Sequence, residues 1–408
     1  MRPSAASPNV PSVGPRAPFL LALASIAFIG PLAIHSFLPV MPEVQKAFNI
    51  PASLTGMTFT VTLLVMACAT LLYGSLSDRY GRRPVLLAGL VLFTVGSGLC
   101  AFAESTATLI AGRIVQALGA GAAASLNRAI ALDAYGPEQL VKVLAYLTMA
   151  YTLGPMFAPL IGGILIDSAG WRAVFGFAAL VGALIGAAVW AVLYETHKPR
   201  GAGTGAAPRP GFYASAANLL KQPRFCAFVL QSGFSTGTFM ALGTAAAFLM
   251  HDYLARPAAE FGRYFMMLPI GFLAGTFVAS RLSARVGLEK MVLTGSLVMA
   301  IALITQAVYI FNGRLSPLVI FIPGALLTFA QGLSLPNAQS GAMRLARGNA
   351  GTAAGLAVFF QMLIGAAGAQ TYTLLADGTP TPMAITMLIG VALTLSAGTV
   401  SFLLRPRT

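Results

Sequence analysis

The sequence predicts an all-α polytopic membrane protein, with twelve transmembrane helices in two pseudo-symmetric six-helix bundles, on three grounds. Its 408 residues are 57% hydrophobic and 9% charged, with a mean hydropathy of +0.81, whereas a soluble domain has roughly a quarter of its residues charged. Its apolar residues fall into runs of the about 20 residues needed to cross a bilayer. A short string also recurs at corresponding places in the two halves of the chain. A net charge of +14 with a pI near 10.2 would point a soluble protein to nucleic acid. Here no basic stripe with interleaved aromatics occurs and the charges lie in short loops, so no nucleic-acid partner is expected and the basic excess reads as topology. Cys68, Cys100 and Cys226 lie in apolar runs without CxxC or metal spacing. They read as packing residues, with no disulfide framework, metal or cofactor expected.

Residues 1–16 are rich in Pro and Ser, carry Arg2 and Arg16, and form an expected cytoplasmic tail. They lead into an apolar run at 17–40, too long for a signal-peptide core and without a clear cleavage site, which is read as the first span. Runs at 54–76, 84–103, 108–132, 143–166 and 172–194 complete a first bundle over 17–194. Segment 195–224 carries Lys198, Arg200, Arg209 and Lys221 among Gly and Pro, the composition of a linker, with 212–222 able to form a short interfacial helix. Runs at 225–250, 262–282, 289–311, 317–343, 352–375 and 383–404 make a second bundle over 225–404, followed by a tail at 405–408. An amino terminus in the cytoplasm places Arg79, Arg82, Arg83, Lys142, the linker cations, Arg224, Arg281, Arg285, Lys290, Arg344, Arg347, Arg405 and Arg407 on that side. Only Lys46, Arg172, Arg256, Arg263 and Arg314 then fall outside. The positive-inside rule thus predicts both termini in the cytoplasm, in a multi-pass protein of the cell inner (plasma) membrane. The recurring string, Leu76-Ser77-Asp78-Arg79-Tyr80-Gly81 against Leu282-Ser283-Ala284-Arg285-Val286-Gly287, lies between the second and third span of each half. Parallel repeats of this kind are built around a midplane site.

The most specific string is Gly74-Ser75-Leu76-Ser77-Asp78-Arg79-Tyr80-Gly81-Arg82-Arg83-Pro84-Val85. Its glycines permit a tight turn, Asp78 can pair with an arginine or a helix N-terminus, and the arginines can anchor at anionic lipid or bridge the halves. The string resembles the helix 2–3 loop signature of the major facilitator superfamily. That resemblance implies a conformational latch at Gly74, Asp78, Arg79, Gly81, Arg82 and Arg83, weaker in the second half, where Ala284 replaces the acid. Arg113-Ile114-Val115-Gln116-Ala117-Leu118-Gly119-Ala120-Gly121 is similar to the superfamily's helix 4 motif, whose arginine is implicated in proton coupling. An arginine costs about 2.5–3.5 kcal/mol to insert, so Arg113 is expected to face the cavity; a snorkelling interfacial arginine is the other reading. Gly154, Pro155, Pro159, Gly162 and Gly163 fall in a string similar to the helix 5 motif of antiporters, and Pro removing helical hydrogen bonds beside close-packing Gly predicts a bent, tightly packed helix.

Across most of the chain the pattern resembles the bicyclomycin and chloramphenicol resistance (Bcr/CflA-type) branch, through Pro31-Leu32-Ala33-Ile34-His35-Ser36-Phe37-Leu38-Pro39, Ser232-Gly233-Phe234-Ser235, Pro336-Asn337-Ala338 and Ala350-Gly351-Thr352-Ala353. The resemblance implies proton-driven export of drug-like molecules or small metabolites, with a small-molecule substrate, protons and membrane lipid as partners and a monomer as the expected state. Two departures stand out. His35 occupies the place of the branch's helix 1 aspartate, and the acids lie in loops or at helix ends, so His35 is the intramembrane group able to titrate near neutral pH. It either forms a coupled site with Arg113 at similar depth or serves structure or recognition as a neutral ring. Leu132 precedes Asp133 where the branch has an arginine, and Arg128 stands one turn deeper; it either meets an anionic or strongly polar ligand or pairs with Asp133. Further cavity candidates are Gln116, Asn127, Gln231, Ser235, Gln331, Ser334, Asn337 and Gln361. No HExxH and no paired intramembrane carboxylates occur, so an enzyme is not expected. Uptake or exchange of an organic anion without protons is the alternative within transport.

Overall fold

The computed structural model describes residues 17–196, 212–346 and 350–405. The tail at 1–16, the cations Lys198, Arg200 and Arg209 of the linker, Arg347 and Arg407 lie outside the described residues. Among the described residues, twelve helices are long and apolar enough to cross a membrane: α1 (Ala17–His35), α2 (Ala52–Tyr80), α3 (Arg82–Ala101), α4 (Thr106–Gly136), α5 (Lys142–Ala169), α6 (Trp171–Val192), α7 (Pro223–Tyr253), α8 (Ala258–Val286), α9 (Leu288–Phe311), α10 (Pro317–Leu345), α11 (Gly351–Leu375) and α12 (Thr381–Leu403). They follow the predicted runs, with α2, α4, α7 and α8 extended past the apolar windows by polar turns that still complete backbone hydrogen bonds.

The first run ends earlier than expected. Pro39 offers no N–H to continue the ladder, so α1 stops at His35 and the chain turns into a separate short helix, Val40–Phe48. Asn49 closes that helix in the left-handed region at φ 49°, a conformation Asn tolerates. A second short helix, Phe212–Leu220, precedes α7 within the stretch read as interfacial, and α7 ends in a π-turn over Leu249–Tyr253.

The repeat is visible in the backbone. Gly81 between α2 and α3 sits at φ 97°, ψ 153°, and Gly287 between α8 and α9 at φ 93°, ψ 153°. Each donates its N–H to a serine carbonyl, Ser77 or Ser283. A residue with a Cβ would be strained at such φ, so glycine makes the same tight turn in both halves.

An even number of spans puts α1's start, the α6–α7 connection and α12's end on one face, here the terminal face, and the turns α1–α2 and α7–α8 on the far face. Within each half the helices pack on their own neighbours, α3 on α4 and α8 on α10 among the most extensive. The halves meet where α2 packs on α11 and α5 on α8. These joints lie at the far face and use small residues: a Cβ on Gly56 would collide with Thr373, one on Gly163 with the Ala258 carbonyl, and one on Gly262 with the Leu160 backbone. Close backbone approach is what such residues permit between membrane helices. Thr60 donates to Gln370 at 3.0 Å and Gln370 donates to the Ser53 carbonyl at 3.1 Å, tying α2 to α11.

Candidate functional site

Between the halves lies a cavity of about 710 Å³, within the range that takes a drug-sized ligand. Its walls come from α1, α2, α4 and α5 on one side and α7, α8, α10 and α11 on the other. Toward the terminal face it reaches Leu144, Met343 and Gly351, at or near the ends of their helices; toward the far face it goes no further than the level of His35, Thr328 and Leu268. The cavity thus occupies the terminal-face portion of the bundle, and the far-face portion is shut by direct contact between halves.

His35 closes the apex. It is 3% exposed, its ring centroid lies 6.0 Å from Phe239 of α7 and 6.2 Å from Phe265 of α8, and its Nδ1 is buried without a hydrogen-bond partner. A ring of the first half is therefore wedged against aromatics of the second. Asn127 and Arg128 line the wall from α4, Gln331 from α10 and Gln361 from α11. Gln361 donates to Thr236 at 2.9 Å, and the Asn127 side-chain oxygen is buried without a partner.

The other candidates sit away from the cavity. Arg113 is fully buried inside the first half: it donates to the Ala33 carbonyl at 3.0 Å and to Gln116 at 2.6 Å, with its guanidinium 4.4 Å from the Phe37 ring centroid. It faces neither cavity nor lipid, correcting the expectation of a cavity-facing arginine, and its bonds reach the α1 backbone and not the His35 imidazole. Helix 1 and the turn after it supply a carbonyl and an aromatic face to one side of the guanidinium, while its Nε and Nη2 are buried without a hydrogen-bond partner. Gln116 passes the chain on to Ser97 at 2.8 Å. Gln231 donates to Ser296 at 3.4 Å and Asn337 to its own helix at Leu333, while the buried Ser235 and Ser334 hydroxyls have no partner. Gln231 and Asn337 thus make contacts within their half, and which helix face each of these polar groups occupies could not be read from sequence alone.

The latch residues also stay within one half in this conformation. Asp78 pairs with Arg82 at 2.6 Å, and Arg82 Nε donates to Asp133 at 3.0 Å. Asp133 is thus held by Arg82, which corrects the Arg128–Asp133 pairing: the α2–α3 turn brings Arg82 to the end of α4. The Glu195 carboxylate accepts from the Arg82 and Arg83 backbone N–H groups at 3.0 and 3.1 Å, so it and not Asp78 meets the α3 N-terminus, where orphan N–H groups and the helix dipole favour an anion. Arg83 donates to the Trp190 carbonyl at 2.7 Å, Arg79 lies over the Tyr80 ring, and Gly74 has open space where a Cβ would stand. Arg224 and Glu289 pair in the second half.

The helix 5 string divides by partner. A Cβ on Gly154 would strike Pro31 of α1, one on Gly162 would press on the Ser36 carbonyl, and Gly163 and Pro159 abut α8; Pro155 lines the cavity. These positions of α5 therefore serve α1 and the turn after it, the cavity and the opposite half.

Two far-face joints were not legible beforehand. Asp167 at the end of α5 accepts from the Ala258 and Ala259 N–H groups at 3.0 and 2.9 Å, so a carboxylate of the first half caps a helix of the second. His251 lies 3.0 Å from Glu43 and 2.7 Å from Asp252, with Lys46 3.7 Å from Asp252. Read one by one, these residues are loop charges, and only the pairing of α5 with α8 and of Val40–Phe48 with the end of α7 assembles them.

The profile of the Major Facilitator Superfamily matches residues 23–369. The chain is 29% identical over 274 residues to a bicyclomycin resistance protein homolog of Haemophilus influenzae, covering 67% of this chain and 68% of that one. It is 26% identical over 340 residues to multidrug resistance protein D of Escherichia coli, covering 83% and 84%. A chloramphenicol resistance protein of Pseudomonas aeruginosa is 34% identical over 185 residues, covering 45% and 44%. In fold it is similar to a bacterial homolog of the human lysosomal transporter Spinster in an inward-facing, occupied conformation, with a TM-score of 0.77 at 19% identity over 94% of this chain and 96% of that one. It is likewise similar to a D-xylose-proton symporter, with a TM-score of 0.75 at 16% identity over 95% and 98%.

Proposed function

The chain belongs to the major facilitator superfamily, and from that premise we propose that it is a proton-coupled antiporter of the cell inner membrane, exporting drug-like or small polar metabolite molecules by alternating access. The observation that carries this reading is a drug-sized cavity walled by both halves and sealed at one face by contacts that must break when the halves rock. The names of the resistance relatives support export of drug-like molecules. The distribution of Lys and Arg supports placing the terminal face in the cytoplasm, which makes this the inward-open state, ready to load substrate from the cell. Both walls come from one chain, so a monomer suffices.

The proton belongs at the apex. His35 lines the cavity at the level where the halves meet, and a proton gained or lost by its imidazole changes its contact with Phe239 and Phe265. Protonation then shifts the inward/outward equilibrium only by its differential effect on the two states. Arg113 supports this indirectly, by fixing the α1 backbone at Ala33, two residues before the histidine.

Proteoliposomes carrying an internal pH dye test the reading. Addition of an exported drug is expected to drive proton movement with the wild type, to fail with His35→Ala and to recover in part with His35→Asp. Flux that is indifferent to pH, with His35→Ala silent, sinks proton antiport and leaves uptake or exchange without protons.

A further inference from the structure

Among the described residues, Arg128 is the one permanently charged side chain lining the cavity, and no carboxylate lines it. The guanidinium is exposed to the cavity and makes no ion pair with the described residues; Asp133, the acid on its own helix, is taken by Arg82. Asn127 stands beside it in sequence, and Tyr151 on α5 lies close enough to feel its charge. Arg128 lies four residues before the end of the apolar run at 132, about 6 Å of helix, so it is set one turn inside the span. An arginine within a span is costly and marks a ligand or ion path unless a partner neutralises it. The facing wall is neutral and polar, with Gln331, Gln339 and Gln361, and the rest is largely apolar, including Met66, Met240 and Phe272.

We infer that this cavity selects amphipathic organic monoanions, whose carboxylate or comparable acidic group is bound by Arg128 while neutral polar groups meet the glutamines and an apolar body fills the remainder. The inference rests on the transport reading above for its biological sense, but not on direction or proton coupling. A guanidinium offers a carboxylate two parallel N–H donors, and between low-dielectric walls its field attracts an anion and repels a cation of the same shape. A neutral drug gains neither contribution. Arg128 is thus a specificity residue, distinct from Arg113, which is buried within its own half and outside the cavity lining.

The test is equilibrium binding of the full chain in nanodiscs to a panel of labelled aromatic carboxylic acids of drug size, nalidixate among them, each paired with its ethyl ester, and to ethidium as the cation. Acids are expected to bind about tenfold or more tightly than their esters, the range of a hydrogen bond to a charged group, with ethidium weakest. Arg128→Gln is expected to remove the acid's advantage while leaving ester affinity within about twofold, and Arg128→Lys to retain part of it; unchanged ester binding shows that the variants are folded. The inference is overturned if no acid of the panel binds better than its ester, if ethidium binds as well as the acids, or if Arg128→Gln weakens acid and ester alike. Acid binding that needs Arg128, in a protein that moves no panel member across liposomes, supports the site assignment and defeats the transport reading instead. Flux confined to esters and ethidium with Arg128→Gln silent does the opposite.

Discussion

Asp167 joins the two halves at the far face, so under the alternating access proposed above its loss is expected to move a conformational equilibrium without unfolding the protein. Its two carboxylate oxygens accept from Ala258 and Ala259 at 3.0 and 2.9 Å, at the N-terminus of α8. Hydrogen bonds to a charged group contribute about 1.5–3 kcal/mol when buried. Asp167 is exposed, and solvent screening brings the pair down to the range of an ordinary helix cap, about 1–2 kcal/mol. Both bonds exist only while the far face is closed, so Asp167→Ala is expected to raise the ratio of far-face-open to far-face-closed molecules by a factor of about 5–30. Asp167→Asn, which keeps one acceptor oxygen, should fall between. Spin labels at Glu104 in the α3–α4 loop and Arg314 in the α9–α10 loop, both exposed and on opposite halves at the far face, report that ratio by electron–electron distance measurement. A distance distribution unchanged by Asp167→Ala would refute the reasoning, as would a lowered melting temperature without redistribution, which would make the contact part of the fold's stability alone.

Gly163→Val is expected to act on the same joint more strongly, because its side chain would run into the Ala258 carbonyl, a backbone atom that cannot swing aside; the same labels should report a predominantly open far face, and flux should fall at least about tenfold. Arg113→Gln removes the guanidinium contacts to Ala33 and Phe37 and is expected to cost about 1–3 kcal/mol in thermal unfolding, while ligand affinity measured in nanodiscs stays within about twofold because Arg113 is outside the cavity lining. Glu195→Ala uncaps α3 at Arg82 and Arg83; a loss of about 1 kcal/mol in unfolding, again with unchanged ligand affinity, is the expected result.

The twelve spans were legible because hydrophobic length is a property of the chain alone: lipid demands about 20 apolar residues whatever the packing. The Gly81 and Gly287 turns were legible for a similar reason, since their backbone conformation is local. Which face a polar residue occupies depends on its neighbours, and there sequence reasoning sorted unevenly. Gln331 and Gln361 reach the cavity, whereas Gln231 and Asn337, alike in kind, bond within their half. Arg113 and Arg128 lie on one helix and differ completely in surroundings, because Phe37 and the Ala33 carbonyl cover the first and the second lines the cavity. The Glu43, Lys46, His251 and Asp252 cluster joins residues about 200 positions apart, and no local pattern announces such a meeting.

The placement of Arg128 also has an electrical consequence. While the cavity is open to the terminal face, its guanidinium sits near the potential of that compartment, and the membrane voltage falls across the sealed far-face joint. In the alternating access proposed above, rocking of the halves puts the voltage on the other side of the same residue, so the charge changes compartments electrically while hardly moving. A full elementary charge is worth about 2.3 kcal/mol per 100 mV. On the proposed orientation, with the terminal face in the cytoplasm, a negative interior would hold the empty carrier open to the cell. An anion seated on Arg128, as inferred above, would cancel that bias, so that the loaded carrier would reorient without opposing the field.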